Sequence, residues 1–156
     1  MTSKPLVTQE TKITKKDLMK VFWRSIPMEF TWNYERQMHL GYCYALLPVL
    51  KKLYKEEDLS DAMVRHMEFY NTTPFIITLP LGISAAMEEL NAKNPETFDK
   101  TSVSTVKTAL MGPLAGIGDS FFWGTFRVIA CGIGAPLAAA GNLLGVVLYL
   151  LLNLIP

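Results

Sequence analysis

Two charged side chains in the last 49 residues constrain this chain more than any other feature of it. Of its 156 residues, positions 1–107 carry 27 of the 29 Asp, Glu, Lys and Arg side chains, and positions 108–156 carry only Asp119 and Arg127. A hydrocarbon core about 30 Å thick is crossed by about 20 apolar residues in a helix. The stretch VIACGIGAPLAAAGNLLGVVLYLLLNLIP, 128–156, has no charge, and its interruptions are Gly, Pro and Asn. It is expected to cross a bilayer, and its place at the C-terminal end excludes a secretory signal. With 50% apolar and 19% charged residues, disorder is excluded. A net charge of +1 offers none of the basic excess of a nucleic-acid binder. The expected class is an all-α integral membrane protein. It combines an amphipathic N-terminal helix, re-entrant or broken helical hairpins and a transmembrane helix.

Residues 1–13 are polar, lack periodicity and read as a tail. Thr14-Lys15-Lys16-Asp17 fits a capping box, in which hydroxyl and carboxylate satisfy the free amides of a helix start. Leu18, Val21, Phe22 and Ile26 follow at helical spacing, among Lys15, Lys16, Lys20 and Arg24. The spacing predicts a basic amphipathic helix over 14–26, suited to a membrane surface or to the side of a soluble core. Residues 1–24 carry six positive and two negative side chains, which places the N-terminus in the cytoplasm by the positive-inside rule. Pro27 ends this helix. The uncharged segments 39–50 and 75–87, the second with Pro80 and Gly82 at its centre, are too short to span and suit re-entrant or interfacial helices. Ser60 or Asp61 is expected to cap a helix whose Leu59, Met63 and Met67 form a packing stripe. Asn94-Pro95 is expected to open another, with Val103, Val106 and Leu110 leading into a membrane block over 108–156.

That block opens with MGPLAGIGDSFFWGTFR. Gly112, Pro113, Gly116 and Gly118 predict a helix, an unwound corner and a second helix, with Asp119 and Ser120 at the corner and Asp119 capping free amides. The run lacks the Lys-Ser/Thr of a P-loop and the third glycine of a dinucleotide fingerprint. A charge in hydrocarbon costs about 2.5–3.5 kcal/mol or more. Asp119 and Arg127 are therefore expected to form a polar gate or an ion pair locking two segments. Gly112/Gly116 and Gly141/Gly145 are small-xxx-small pairs suited to close helix contact. Cys43 and Cys131 read as small buried hydrophobes, with neither metal nor disulfide pattern. Glu35, His39 and Asp119 show no nucleophile–base spacing, so no catalytic residue, metal or cofactor is expected.

Three stretches carry a family resemblance. MGPLAGIGDSFFWGTFRVIACGIGAPLAAAGNLLGVVLYLLLN closely resembles the IID component of the mannose/fructose/sorbose family of the bacterial phosphotransferase system. WNYERQMHLGYCYALLPVLKKLY and FYNTTPFIITLPLGISAAMEE match that family in the same order, and the match covers about residues 14–156. Family members are nearly twice as long, so the chain looks like an N-terminal half, a partial IID membrane domain. The resemblance implies a place in the bacterial cytoplasmic (inner) membrane. It also implies pairing with a IIC membrane subunit to build a sugar pathway, in an oligomer of IIC–IID pairs. Cytoplasmic IIA and IIB components carry phosphate on histidines, and IIB passes it to the incoming hexose or related sugar. IID is not an enzyme by itself and carries no phosphohistidine. Sugars are held by aromatic faces and planar hydrogen-bonding groups. Trp32, Asn33, Glu35, Arg36 and His39 offer these beside one short apolar segment, and Asn71 and Thr72 beside the other. The competing expectation is that Glu35 and Arg36 form inter-subunit ion pairs. The competing function is a truncated, non-transporting remnant or scaffold that only binds IIC.

Overall fold

The structure, a computed structural model, describes residues 12–154, so the expected tail falls outside it through residue 11. The chain divides into two compact units, Met1–Gly112 and Pro113–Pro156.

In the first unit, α1 (Lys15–Ser25) starts at the capping box: the Asp17 amide donates to the Thr14 hydroxyl, and the Thr14 amide donates to the Asp17 carboxylate at 3.0 Å. A 3₁₀ turn, Met28–Thr31, leads to α2 (His39–Leu53). Helix α2 is apolar around most of its circumference, as a central helix must be. Tyr42, Ala45, Leu46, Val49, Leu50 and Leu53 are all fully buried. A Cβ on Gly41 would meet the Met28 carbonyl at 2.6 Å, so glycine lets the 3₁₀ turn lie directly against α2. Pro48 sits inside α2 and has no amide to give the Tyr44 carbonyl. Arg24 of α1 donates to that carbonyl at 3.4 Å, its guanidinium 4.8 Å from the Tyr44 ring centroid.

Helix α3 spans Glu56–His66, so Ser60 and Asp61 lie within it and cap nothing. The start is favoured instead by Glu56, Glu57 and Asp58 in the first turn, against the positive helix end. Leu59 and Met63 pack on the core, as the stripe predicts. Segment 71–73 is non-helical, and a 3₁₀ turn at Pro74–Ile76 precedes α4 (Thr78–Lys93). Pro80 does not break α4: it lies in the first turn, where a missing amide breaks no helical bond. Segment 39–50 thus falls in α2, and 75–87 runs from the 3₁₀ turn through the first part of α4, whose Leu81 and Ala85 join the same core. Asn94 ends α4 rather than opening α5. Helix α5 (Thr101–Gly118) is opened by Asp99, whose carboxylate accepts from the Thr101 amide at 2.9 Å.

Helix α5, a π-helical stretch (Asp119–Phe126) and α6 (Arg127–Ala139) run on without a break for 39 residues, long and apolar enough to cross a membrane. The expected unwound corner at 112–120 is absent. The backbone stays helical through Gly112, Pro113, Gly116 and Gly118 and widens afterwards, the Arg127 amide donating to Phe122, five residues back. In hydrocarbon this keeps backbone groups bonded that an open corner would expose. The break falls later, inside the 128–156 stretch read as one span. Gly141, at φ +78°, allows the Asn142 amide to reach the Leu137 carbonyl and the Gly141 amide to reach Ala138, both at 3.0 Å. This is a glycine-dependent helix stop. The Asn142 side chain then accepts from the Leu144 amide at 3.0 Å and starts α7 (Leu144–Leu154). Cβ atoms on Gly112 or Gly116 would meet nothing within 4 Å, whereas one on Gly145 would meet the Gly134 carbonyl at 2.5 Å. The close contact therefore joins α6 to α7 through Gly134 and Gly145, not through either expected pair.

Candidate functional site

The segment between the 3₁₀ turn and α2 is shaped by one asparagine. The Asn33 side-chain oxygen accepts from the amides of Glu35 (3.1 Å) and Arg36 (3.0 Å). Asn33 and Gln37 also exchange main-chain hydrogen bonds at 3.0 and 3.3 Å. Closing this turn puts Gln37 at φ +58°, a left-handed conformation that costs a non-glycine residue about 1–3 kcal/mol and is concentrated at functional sites. The turn is tied to the chain beyond α3. The Met38 amide donates to the Tyr70 carbonyl at 2.8 Å, the Tyr70 amide donates to Arg36 at 3.3 Å, and the Arg36 guanidinium reaches the Met67 carbonyl at 3.5 Å.

These bonds hold turn 33–38 against residues 67–70, which Asn71 and Thr72 follow directly in the chain. Trp32 lies edge-on to Tyr34, ring centroids 4.9 Å apart. Glu35 and Arg36 are exposed and paired at 3.4 Å. His39, the first residue of α2, is buried, its Nδ1 3.5 Å from the Asn33 amide nitrogen. Asn71 is exposed and gives its amide to the Met111 sulfur at 3.2 Å. Thr72 is buried, and its hydroxyl has no hydrogen-bond partner among the described residues. An unpaired buried hydroxyl is costly. The buried Tyr70 hydroxyl is likewise without a partner among the described residues.

A second, buried polar group carries little local sequence pattern. Tyr70 packs on Tyr42 at 4.4 Å, and Tyr42 stacks on His66 at 6.0 Å. His66 leads to Glu88, a fully buried carboxylate. It accepts from His66 Nε2 (2.8 Å), from Arg65 Nε and Nη2 (2.7 and 3.0 Å) and from the Tyr54 hydroxyl (2.7 Å); Asn91 in turn donates to Tyr54 at 2.8 Å. Burial pushes the Glu88 pKa up, but the hydrogen bonds from His66 and Arg65 outweigh it and hold the carboxyl at about 2. Burial pushes His66 below its ordinary value. Its Nδ1 has no partner among the described residues. A neutral ring donating through Nε2 leaves only a lone pair unsatisfied there, where a protonated ring would leave a buried N–H. The network is therefore an ionised Glu88, a charged Arg65 and a neutral His66. Lys107 of α5, also buried, caps it by donating to the Arg65 carbonyl at 2.8 Å. The only sequence signal was Glu88-Glu89 following an apolar run.

In the π stretch, the Ser120 hydroxyl donates to the Gly116 carbonyl at 2.7 Å and the Thr125 hydroxyl to Ser120 at 3.0 Å. Both side chains thus turn back onto the helix. The Arg127 guanidinium lies 4.0 Å from the Trp123 ring centroid, a cation–π contact that lowers the cost of charge in apolar surroundings. Asp119 opens the stretch inside a continuous helix, so it caps no helix start. Cys43 is buried as expected; Cys131 is exposed on α6 and joins Ala135, Ala138, Val146 and Tyr149 along an apolar groove between α6 and α7.

Residues 12–156 match the family described as the PTS system mannose/fructose/sorbose family IID component. The PTS system mannose-specific EIID component of Escherichia coli K12 is 42% identical over 147 residues, covering 93% of this chain and 52% of that protein. The sorbose-specific EIID component of Klebsiella pneumoniae is 42% identical over 142 residues, with shares of 90% and 52%. The fructose permease IID component of Bacillus subtilis 168 is 42% identical over 145 residues, with shares of 92% and 52%. Among solved structures, a chain of the mannose transporter ManYZ in complex with microcin E492 superposes with a TM-score of 0.85 at 42% identity, over 94% of this chain and 54% of that one. The chain spans about half the length of the relatives it matches.

Proposed function

The chain belongs to the IID components of the mannose/fructose/sorbose phosphotransferase family, and from that premise we propose that it is a membrane subunit of a sugar permease. With a IIC subunit it forms the pathway by which a hexose or related sugar enters the cell and meets IIB for phosphorylation. The observation that carries the site is the joining of turn 33–38 to residues 67–70. It supports a site in which the aromatic face of Trp32, the amide of Asn33 and the exposed Glu35–Arg36 pair meet the sugar, with Asn71 and the buried Thr72 following directly after the tied residue Tyr70. Such a mixture of aromatic face and planar donors and acceptors suits a sugar ring. Relatives named for mannose, sorbose and fructose support a hexose as the substrate class.

The chain contributes binding and passage, not phosphoryl transfer. His66 is fully buried with Nε2 engaged by Glu88, and His39 is buried at the head of α2. Neither imidazole is open to an incoming phosphate. Asp119 and Arg127 serve as a gate or as an inter-subunit ion pair in the membrane block, and the basic N-terminal segment stays in the cytoplasm.

Uptake of labelled mannose, fructose and sorbose by cells supplying IIA, IIB and IIC tests this. Glu35→Gln keeps the side chain's shape and removes its charge. It is expected to lower uptake about tenfold while leaving IIC co-purification intact. Loss of co-purification would favour the inter-subunit ion pair instead, and unchanged uptake and assembly would defeat both readings. Absence of uptake by the unsubstituted chain, with IIC still bound, would favour the scaffold reading.

A further inference from the structure

Helix α1 is packed the wrong way round for a soluble domain. It meets the first unit through Asp17, Val21 and Ser25, three residues spaced four apart. Its rotation is set by an ion pair: the Lys52 ammonium of α2 donates to the Asp17 carboxylate at 2.8 Å, and this bond with that of Thr14 holds the carboxyl well below the usual carboxylate range. The apolar stripe is left outside. Leu18, Met19, Phe22, Trp23 and Ile26 are 43%, 55%, 46%, 63% and 62% exposed. Lys15 and Lys16 at the start of the helix and Lys20 beside the stripe are exposed, and the helix's only acid, Asp17, is buried and paired with Lys52.

We propose that this outward stripe of α1 is a lipid-docking surface, lying in the headgroup region of a bilayer that carries anionic lipids. An outward apolar sector beside a lysine-rich one is the pattern of a helix lying in the plane of a membrane interface. Trp23, an amphipathic ring, is enriched at that depth. Charge complementarity favours lipid over protein: the cores of protein interfaces are depleted in lysine, whereas lysine ammonium groups beside buried apolar residues snorkel readily to phosphate. The surface is separate from the sugar site and shares with the permease reading only the placement of the chain in a membrane.

The test uses the full chain in lipid nanodiscs of phosphatidylcholine and phosphatidylglycerol. Trp32→Phe and Trp123→Phe leave Trp23 as the only tryptophan. Its emission is expected to fall about twofold with lipids brominated just below the headgroup, and less with lipids brominated near the chain ends. Should that variant fail to insert, the same quantity is read as the difference between wild type and Trp23→Phe. Emission that neither lipid quenches overturns the proposal, whether the stripe lies in water or under protein. Stronger quenching by the deep label overturns it too, because the helix then enters the core. Lys15→Gln, Lys16→Gln and Lys20→Gln together should halve the shallow quenching in discs containing phosphatidylglycerol and leave it unchanged in pure phosphatidylcholine. Equal quenching of this variant and wild type in both lipids overturns the role of anionic headgroups.

Discussion

At the scale of single residues, the Glu88 network makes the first unit sensitive to acid. The Glu88 pKa lies at about 2 in the folded chain, against about 4.3 for an ordinary glutamate. A depressed pKa contributes stability that is present above the unfolded value and lost as pH falls towards the folded one. His66, also depressed, acts in the same direction: the unfolded ring takes up a proton near its ordinary value while the folded ring resists it. Stability is therefore expected to begin falling below about pH 6.5 through His66, and to fall further between about pH 4.3 and pH 2 through Glu88. The Glu88 part amounts to about 3 kcal/mol. Thermal unfolding in detergent at stepped pH measures both. His66→Gln should flatten the upper part of the curve, and Glu88→Gln the lower part. An unchanged midpoint from pH 7 to pH 3 in the wild type would contradict the assigned charge states. None of this was legible in sequence. His66 shows no local partner, and Glu88 is 22 positions away on another helix. Asn33, by contrast, acts on its immediate neighbours, and its concentration with Glu35, Arg36 and His39 was legible.

At the scale of elements, the membrane block is governed by where its helix stops. Glycines at 112, 116 and 118 do not stop it, because a glycine permits a break without requiring one. Gly141 does, because Asn142 follows and caps the next helix with its side chain. The α6–α7 hairpin is then held by backbone contact at Gly134 and Gly145. A Cβ on Gly145 would meet the Gly134 carbonyl at 2.5 Å and the Ala138 nitrogen at 2.6 Å, backbone atoms that cannot move aside cheaply, while one on Gly132 would meet nothing within 4 Å. Gly145→Val is therefore expected to cost about 1–3 kcal/mol through overpacking and to splay the hairpin. Gly132→Val serves as the matched control. Limited proteolysis at 140–143 reads the difference. Cleavage about tenfold faster in Gly145→Val than in Gly132→Val is expected, and equal rates would show that the Gly134–Gly145 contact does not hold the hairpin.

For the whole molecule, the exposed apolar side chains of the second unit, Val128, Ile129, Ile133, Leu143, Leu144 and Leu150 among them, call for lipid or a partner subunit. Asp119 starts no helix, so the role proposed for it at the interface rests on its charge. Asp119→Asn and Asp119→Leu are expected to lower co-purification with IIC alike, by about tenfold or more, as truncating one side of a desolvated charge pair does. Normal assembly by both would leave Asp119 without a role at the interface. Orientation is tested separately. The net positive charge of residues 1–24 resists translocation, so Ser3→Cys should react with an impermeant maleimide only after cells are opened. Reaction in intact cells would reverse the topology.

Whatever depends on composition or on neighbours a few positions apart was already written in the chain. The confinement of 27 charges to residues 1–107 set the membrane class. Thr14 and Asp17 are three positions apart, so their hydrogen bonds start α1 wherever the helix packs. Asn33 shapes its own turn in the same way. Which face α1 turns outward was settled by packing, because Lys52 is 35 positions from the Asp17 it holds. Packing also joined turn 33–38 to residues 67–70, buried Glu88 between α2 and α3, and chose 140–143 over 112–120 as the place where the helix ends. Each of these outcomes rests on groups brought together by chain closure, or on a break that several glycines allowed equally. Periodicity and local hydrogen bonding name the candidates in such cases, and packing selects among them.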